Sequence, residues 1–150
     1  MIRYSCIIVS VYVGGHWTPQ LISMAGGDHP LNRAPAIDDG AAKSFPVCIQ
    51  QIIDSNPDWI IIAPCGLNLE SATREAKLLL AKNEGLLRLQ AVREGRIVAV
   101  DGDAMFNRPG VRLVECLEWL VYLFHKDTHP LAAKLCPKNF PFQYIDAHDF

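Results

Sequence analysis

A chain of 150 residues has the size of one ordinary domain and is too short for two full ones. Half of the residues are hydrophobic and 20% are charged, which is a globular composition rather than a disordered one. The formal net charge of -2 supplies no basic field, and no Lys/Arg cluster with interleaved aromatics occurs, so nucleic acid is not an expected partner.

The N-terminal apolar run, Ile7 to Val13, is too short to span a bilayer. Arg3 before it faintly resembles a signal peptide, but Gly14-Gly15 leads at once into a helix start, so the run predicts a strand. Nearly continuous and β-branched, it suits a strand buried on both faces of a parallel sheet. The chain as written is expected to be soluble and unexported, and the sequence names no compartment. Thr18-Pro19 reads as an N-cap with proline at the first helical position, and Gly26-Gly27 ends that helix. Residues 28–43, with Pro30, Pro35, Asp38-Asp39 and Gly40, read as a loop that could open with a short edge strand.

A second helix is predicted over 44–55, with Val47, Ile49, Ile52 and Ile53 inward and Pro57 closing it. Trp59 to Ala63 is the clearest strand, apolar and bounded by Pro57-Asp58 and Pro64-Cys65-Gly66. Asn68 caps a third helix, which Asn83-Glu84-Gly85 interrupts before a second piece from Leu86 to Glu94 with Gly95 at its end. Arg96 to Val100 is another apolar strand. The last helix is predicted to start near Pro109, with an inward stripe of Leu113, Val114, Leu117, Leu120, Val121 and Phe124. Past Lys126 the chain is rich in Pro, His and aromatics and shows no clear period, so 127–150 reads as an extension of a domain spanning 1–126.

Alternating strands and helices with short loops predict an α/β fold: three layers, a mainly parallel sheet of about four strands, helices on both faces. Ligands collect outside the carboxyl ends of such strands. The loops expected there, 14–18, 64–68 and 101–109, hold nearly all the unusual polar and aromatic residues.

The cysteines Cys6, Cys48, Cys65, Cys116 and Cys136 are odd in number, widely spaced and without a CxxC pair, so neither a zinc site nor a disulfide framework is expected. Cys48 and Cys116 fall in apolar helical patterns and read as small core residues. Cys65 is the one placed to meet a ligand. His125, His129 and His148 lack metal-ligand spacing and read as solvated.

Four segments carry a resemblance. Residues 14–27 (GGHWTPQLISMAGG), 56–62 (NPDWIII), 91–102 (AVREGRIVAVDG) and 106–114 (FNRPGVRLV) resemble, in order, motifs of the C-terminal lobe in helical-backbone (TroA-like) solute-binding proteins of ABC importers, the class that carries cobalamin, haem and iron–siderophores. The cobalamin-binding branch is the nearest. The resemblance runs from Tyr12 to about His125; Met1 to Val11 lack the family's strand sequence, and the N-terminal lobe and backbone helix have no counterpart. It implies one lobe of a bilobal binding protein, with a corrinoid, haem or ferric siderophore as ligand, no required cofactor and no catalysis.

The same resemblance turns His16-Trp17 toward the cleft, where Trp17 could stack on a planar macrocycle and His16 approach a metal centre. The alternative is that Trp17 packs a helix on the sheet and His16 is solvated. Phe45 has the same ambiguity. Cys65-Gly66 at a strand-to-helix turn could form cleft wall; Cys65 could instead be a nucleophile with His16 as base, although no third orienting group or nucleophile elbow is visible. Asp101, Asp103, Phe106 and Arg108 follow the last strand; the carboxylates could bind a cation or hydrogen-bond a ligand's amides, and Arg108 could pair with a ligand carboxylate or phosphate. Against this, Asp101 and Asp103 could simply form Asx turns and Asn107 cap the last helix. Asp28 stands where cobalamin-type binders often carry a permease-docking glutamate; the alternative is a plain loop residue. Three functions follow as expectations: ligand binding by a lone lobe, with a homodimer through the cleft face or a permease as possible partners; a small cysteine-dependent enzyme; or a non-functional remnant of a transport protein.

Overall fold

Trp59-Ile60-Ile61-Ile62 is a run of bulky, mostly β-branched side chains, and it forms strand β4 (Trp59–Ile62) with all four residues buried. Its side chains alternate between two cores, Trp59 and Ile61 on one face and Ile60 and Ile62 on the other. A strand buried on both faces needs ladder partners on both sides. They are β1 (Ser5–Val9) and β5 (Ile97–Val100), both parallel to it, with Ile61 opposite Ile7 and Val98. The structure, a computed structural model, describes residues 5–9 and 12–146.

Three short antiparallel strands widen the sheet: β2 (Tyr12–Val13) beside β1, β3 (Phe45–Pro46) beside β2, and β6 (Phe142–Tyr144) beside β5. The order is β3-β2-β1-β4-β5-β6. The α/β class and the two helical layers are as predicted. The sheet is larger, six strands with a parallel centre instead of about four. The strand predicted over Ile7–Val13 is divided between β1 and β2, which pair as a hairpin; Ser10, Val11 and the start of the Met1–Val11 segment lie outside the described residues.

One face carries α1 (Thr18–Met24) and α6 (Arg112–His125). The other carries α2 (Ile49–Ser55), α3 (Leu69–Ala81) and the single-turn helices α4 (Glu84–Leu87) and α5 (Gln90–Arg93), which replace the one piece predicted over 86–94. Asn68 caps α3 as expected, its carboxamide oxygen accepting the Ser71 N–H at 3.0 Å. Ala72, Ala76 and Leu80 then form its buried stripe at i, i+4, i+8. The residues before α2 were predicted helical from 44 but belong to β3, where Phe45 and Pro46 pair with Val13 and Tyr12. Cys48 is therefore the exposed N-cap of α2 and not a core residue.

α6 begins three residues later than Pro109, and its buried face is Cys116, Trp119, Leu120, Leu123 and Phe124. Val114, predicted inward, is 61% exposed. The stripe is rotated because the C-terminal tail supplies partners for Trp119. Phe140 stacks on it at 4.8 Å between centroids with planes 6° apart, and Phe142 meets it edge-on at 5.4 Å. Those tail residues belong to the same core as α6, and β6 completes the sheet edge. A three-residue strand is too short to show a period in the sequence. His125, predicted to be solvated, is half-buried and its Nε2 lies 2.8 Å from the carbonyl oxygen of Ala25, tying α6 to the end of α1; His148 lies outside the described residues.

Candidate functional site

Three segments meet at the carboxyl edge of the parallel strands: the loop from β2 into α1, the turn from β4 into α3, and the loop from β5 into α6. The expectation that each follows a parallel strand fails for the first, since β2 is antiparallel to β1. The loop reaches this edge all the same. β2 is only two residues long and pairs with Ile8 and Val9, the last residues of β1, so both of its ends lie at that edge.

Close backbone contact shapes the first loop. A Cβ on Gly15 would lie 2.4 Å from the Ser44 nitrogen, so the chain can pass here only as glycine. His16 takes a positive φ of 54° and donates its N–H to the Ala42 carbonyl. Thr18, predicted to cap α1, is instead its buried first residue; Trp17 is at the N-cap and no side chain caps the helix. The Trp17 indole is half-buried and its Nε1–H donates to the Phe106 carbonyl at 2.8 Å, across 89 residues of sequence. The His16 ring lies beside it, 5.5 Å between centroids, and is exposed.

The other two segments are fastened to each other. A Cβ on Gly102 would sit 2.1 Å from the Pro64 carbonyl oxygen, so the β5 loop crosses the β4 turn backbone on backbone. The Asn107 carboxamide donates to the Ala63 carbonyl at 3.2 Å and to the Gly102 carbonyl at 2.7 Å. It does not cap α6. The Asp103 N–H donates to the Leu67 carbonyl at 3.3 Å. Asp101 accepts from the Ala104 N–H at 2.8 Å, the Asx-type turn that was one of its two readings.

The result is a cleft of about 550 Å³, lined by Tyr12, His16, Trp17, Cys65, Phe106 and Asn107 together with small and apolar residues including Ser44, Pro64 and Leu67. No Asp, Glu, Lys or Arg is among the lining residues. Phe106 is only 2% exposed and meets Trp119 edge-on at 6.0 Å, so it is as much core as wall.

Of the residues singled out in the sequence, His16, Trp17, Cys65 and Phe106 line this cleft. Phe45, Gly66, Asp103 and Arg108 lie outside its lining. Phe45 is on β3, and Gly66 is an exposed turn residue with φ 75°. Asp103 and Arg108 hold each other: the guanidinium donates to the Asp103 carboxylate at 2.8 Å and to its carbonyl at 2.9 Å. Asp103, by hydrogen bond and charge, pushes the pKa of the exposed Arg108 above its ordinary value. Asp28 pairs with Arg33 at 3.8 Å, past the end of α1. Cys65 is exposed at the cleft, and no hydrogen bond joins it to His16 among the described residues. Among those residues no three His, Cys, Asp or Glu side chains gather as a metal site, and no helix is long and apolar enough to cross a membrane. Tyr12, Ser44 and Asn107 were missed. Tyr12 and Ser44 stand in segments whose patterns predict buried strand and helix, and the position of Asn107 before the last helix predicts only a cap.

This is the fold of a TroA-like periplasmic binding protein, present over roughly one half of such a protein. A TroA-like periplasmic binding protein described as FepB from Veillonella parvula superposes with a TM-score of 0.63 at 20% identity, over 95% of this chain and 48% of that one. An ABC transporter substrate-binding protein from Listeria monocytogenes gives 0.61 at 14% identity, over 82% and 47%. A periplasmic heme binding protein from Pseudomonas aeruginosa gives 0.58 at 22% identity, over 82% and 42%. The chain thus spans less than half the length of each structure. No protein-family model matches the sequence, and no curated protein matches it.

Proposed function

We propose that this chain is a non-catalytic binding lobe of the ABC-type solute-binding kind, taking a cobalamin-, tetrapyrrole- or siderophore-like ligand in the cleft at the carboxyl edge of its sheet. One observation carries the reading. Three loops distant in sequence converge on a concavity whose walls are aromatic, small and free of formal charge, which suits the apolar faces of a large planar or macrocyclic ligand. Trp17 and Tyr12 offer stacking surfaces, and His16 at the rim can reach a metal centre. Cys65 is wall in this reading, not nucleophile. Arg108 and Asp103, paired outside the lining, act at most on a ligand's periphery.

The fold of the neighbours supports this reading, as does the heme binding named for one of them. A cleft of about 550 Å³ falls within the usual 300–1,000 Å³ of small-ligand sites but buries only one side of a corrinoid or haem. A second wall, from another lobe or from a second copy docked through the cleft face, completes the enclosure; a permease is the further partner such a protein serves. Native mass spectrometry of the protein incubated with cyanocobalamin, haemin and a ferric siderophore tests ligand and stoichiometry together. A specific adduct with one of the three, at one or two chains per ligand, is expected. No adduct with any of them at tens of micromolar ends the reading.

A further inference from the structure

The cleft's stacking surface, the Trp17 indole, is not held by its own helix. α1 has no side-chain cap, and the segment before it passes His16 in a positive-φ conformation. What fixes the indole at its polar end is one hydrogen bond, Nε1–H to the Phe106 carbonyl. The direction of that carbonyl depends on the next residue, because Phe106 and Asn107 share the peptide unit that bears it. Asn107 in turn spends its carboxamide on two backbone carbonyls of different segments, Ala63 at the end of β4 and Gly102 in the loop after β5. Gly102 already touches the Pro64 carbonyl with no room for a side chain. Each link is half-buried, where a hydrogen bond is worth more than at an open surface.

The geometry points to Asn107 as a positioning residue: through the Phe106–Asn107 peptide it sets the orientation of the Trp17 indole, and so joins the three cleft walls into one unit. This rests on the cleft being the binding site, and it adds what sets the shape of that site. Only a group that donates to two acceptors from the carboxamide's reach serves. Both partners of the carboxamide are carbonyl oxygens, so its NH2 must point at them, and an isosteric carboxylate would face both with negative charge. A ligand binding to a preset wall avoids the cost of ordering it.

The chain has three tryptophans, at 17, 59 and 119, so ¹⁵N-indole spectra read the device directly and without any ligand. Trp17→Phe assigns the Trp17 resonance. In Asn107→Asp and Asn107→Ser the Trp17 indole signal should shift or broaden and its hydrogen exchange accelerate about tenfold, the change expected when a hydrogen bond of ordinary strength is lost. The Trp59 and Trp119 signals, from buried side chains of the sheet and α6, should stay in place. With haemin as probe, both variants should bind roughly 5- to 10-fold more weakly for the same reason. An unchanged Trp17 resonance in either folded variant overturns the inference. Collapse of all three resonances in both variants also overturns it, because Asn107 would then be a folding residue. Failure of the wild-type protein to bind haemin counts against the ligand reading above; the indole signals still decide the positioning role.

Discussion

Adding a single methyl group at Gly102 tests how tightly the cleft is built. An ideal Cβ there lies 2.1 Å from the Pro64 carbonyl oxygen, 2.7 Å from the Ala63 carbonyl carbon and 2.7 Å from that of Pro64. All three are backbone atoms, at the end of a strand buried on both faces, so none can swing aside as a side-chain tip would. Relief requires β4 and the β5–α6 loop to separate, which also stretches the Asn107 bonds to Ala63 and Gly102. Overpacking of a core costs about 1–3 kcal/mol; with rigid backbone on both sides Gly102→Ala belongs at the upper end, about 3 kcal/mol. For a domain of this size that lowers Tm by about 6–12 °C. Gly95→Ala separates sterics from backbone strain. Nothing lies within 4 Å of a Cβ there but φ is 68°, so it should cost only the left-handed penalty of about 1–2 kcal/mol. Urea unfolding of both variants, with haemin binding measured alongside, is the assay. A loss below about 0.5 kcal/mol for Gly102→Ala would show that the two segments are not in contact, and the account of the cleft walls would fall with it.

Ile61→Ala, at a fully buried position of the central strand, should cost about 2–5 kcal/mol in urea unfolding; a loss under about 1 kcal/mol would deny β4 its central place. Trp17→Phe removes the bond to the Phe106 carbonyl and should cost about 0.5–1.5 kcal/mol while weakening ligand binding. Stability lost with binding intact would make Trp17 a packing residue alone. Burial pushes the Cys116 thiol up to about 12 from an ordinary value of 9.0, so the folded state favours the neutral thiol. That contribution is complete below pH 9 and is lost as pH rises toward 12, where Cys116→Ser should flatten the fall in stability. Under native conditions Cys48 and Cys65 should alkylate well before Cys116, which should need unfolding; rapid reaction of Cys65 alone near neutral pH would revive the thiol-enzyme reading.

The strand at Trp59 to Ala63, the strand ending at Val100, the Asn68 cap and the glycine stop at Gly26 were legible because each rests on residues within a few positions. So was part of the cleft, since His16, Trp17, Cys65 and Phe106 stand in the loops that follow strands. Sequence position also puts Phe45, Arg108 and Asp103 near the site, but Phe45 pairs through its backbone with Val13 of β2, and the side chains of Arg108 and Asp103 take each other.

Local chemistry in the sequence determined the α/β class, the central strand and which loops are unusual in composition. It could not determine the face that α6 buries, because two overlapping apolar stripes exist on that helix and the choice depends on Phe140 and Phe142 arriving from the tail. Nor could it show that β2 is a two-residue antiparallel strand, a pairing with β1 and β3 that no period reveals. The role of Asn107 was likewise decided only by tertiary structure. Its two acceptors lie 44 and 5 residues away, and a carboxamide shows its use only when the chain has brought both carbonyls to it.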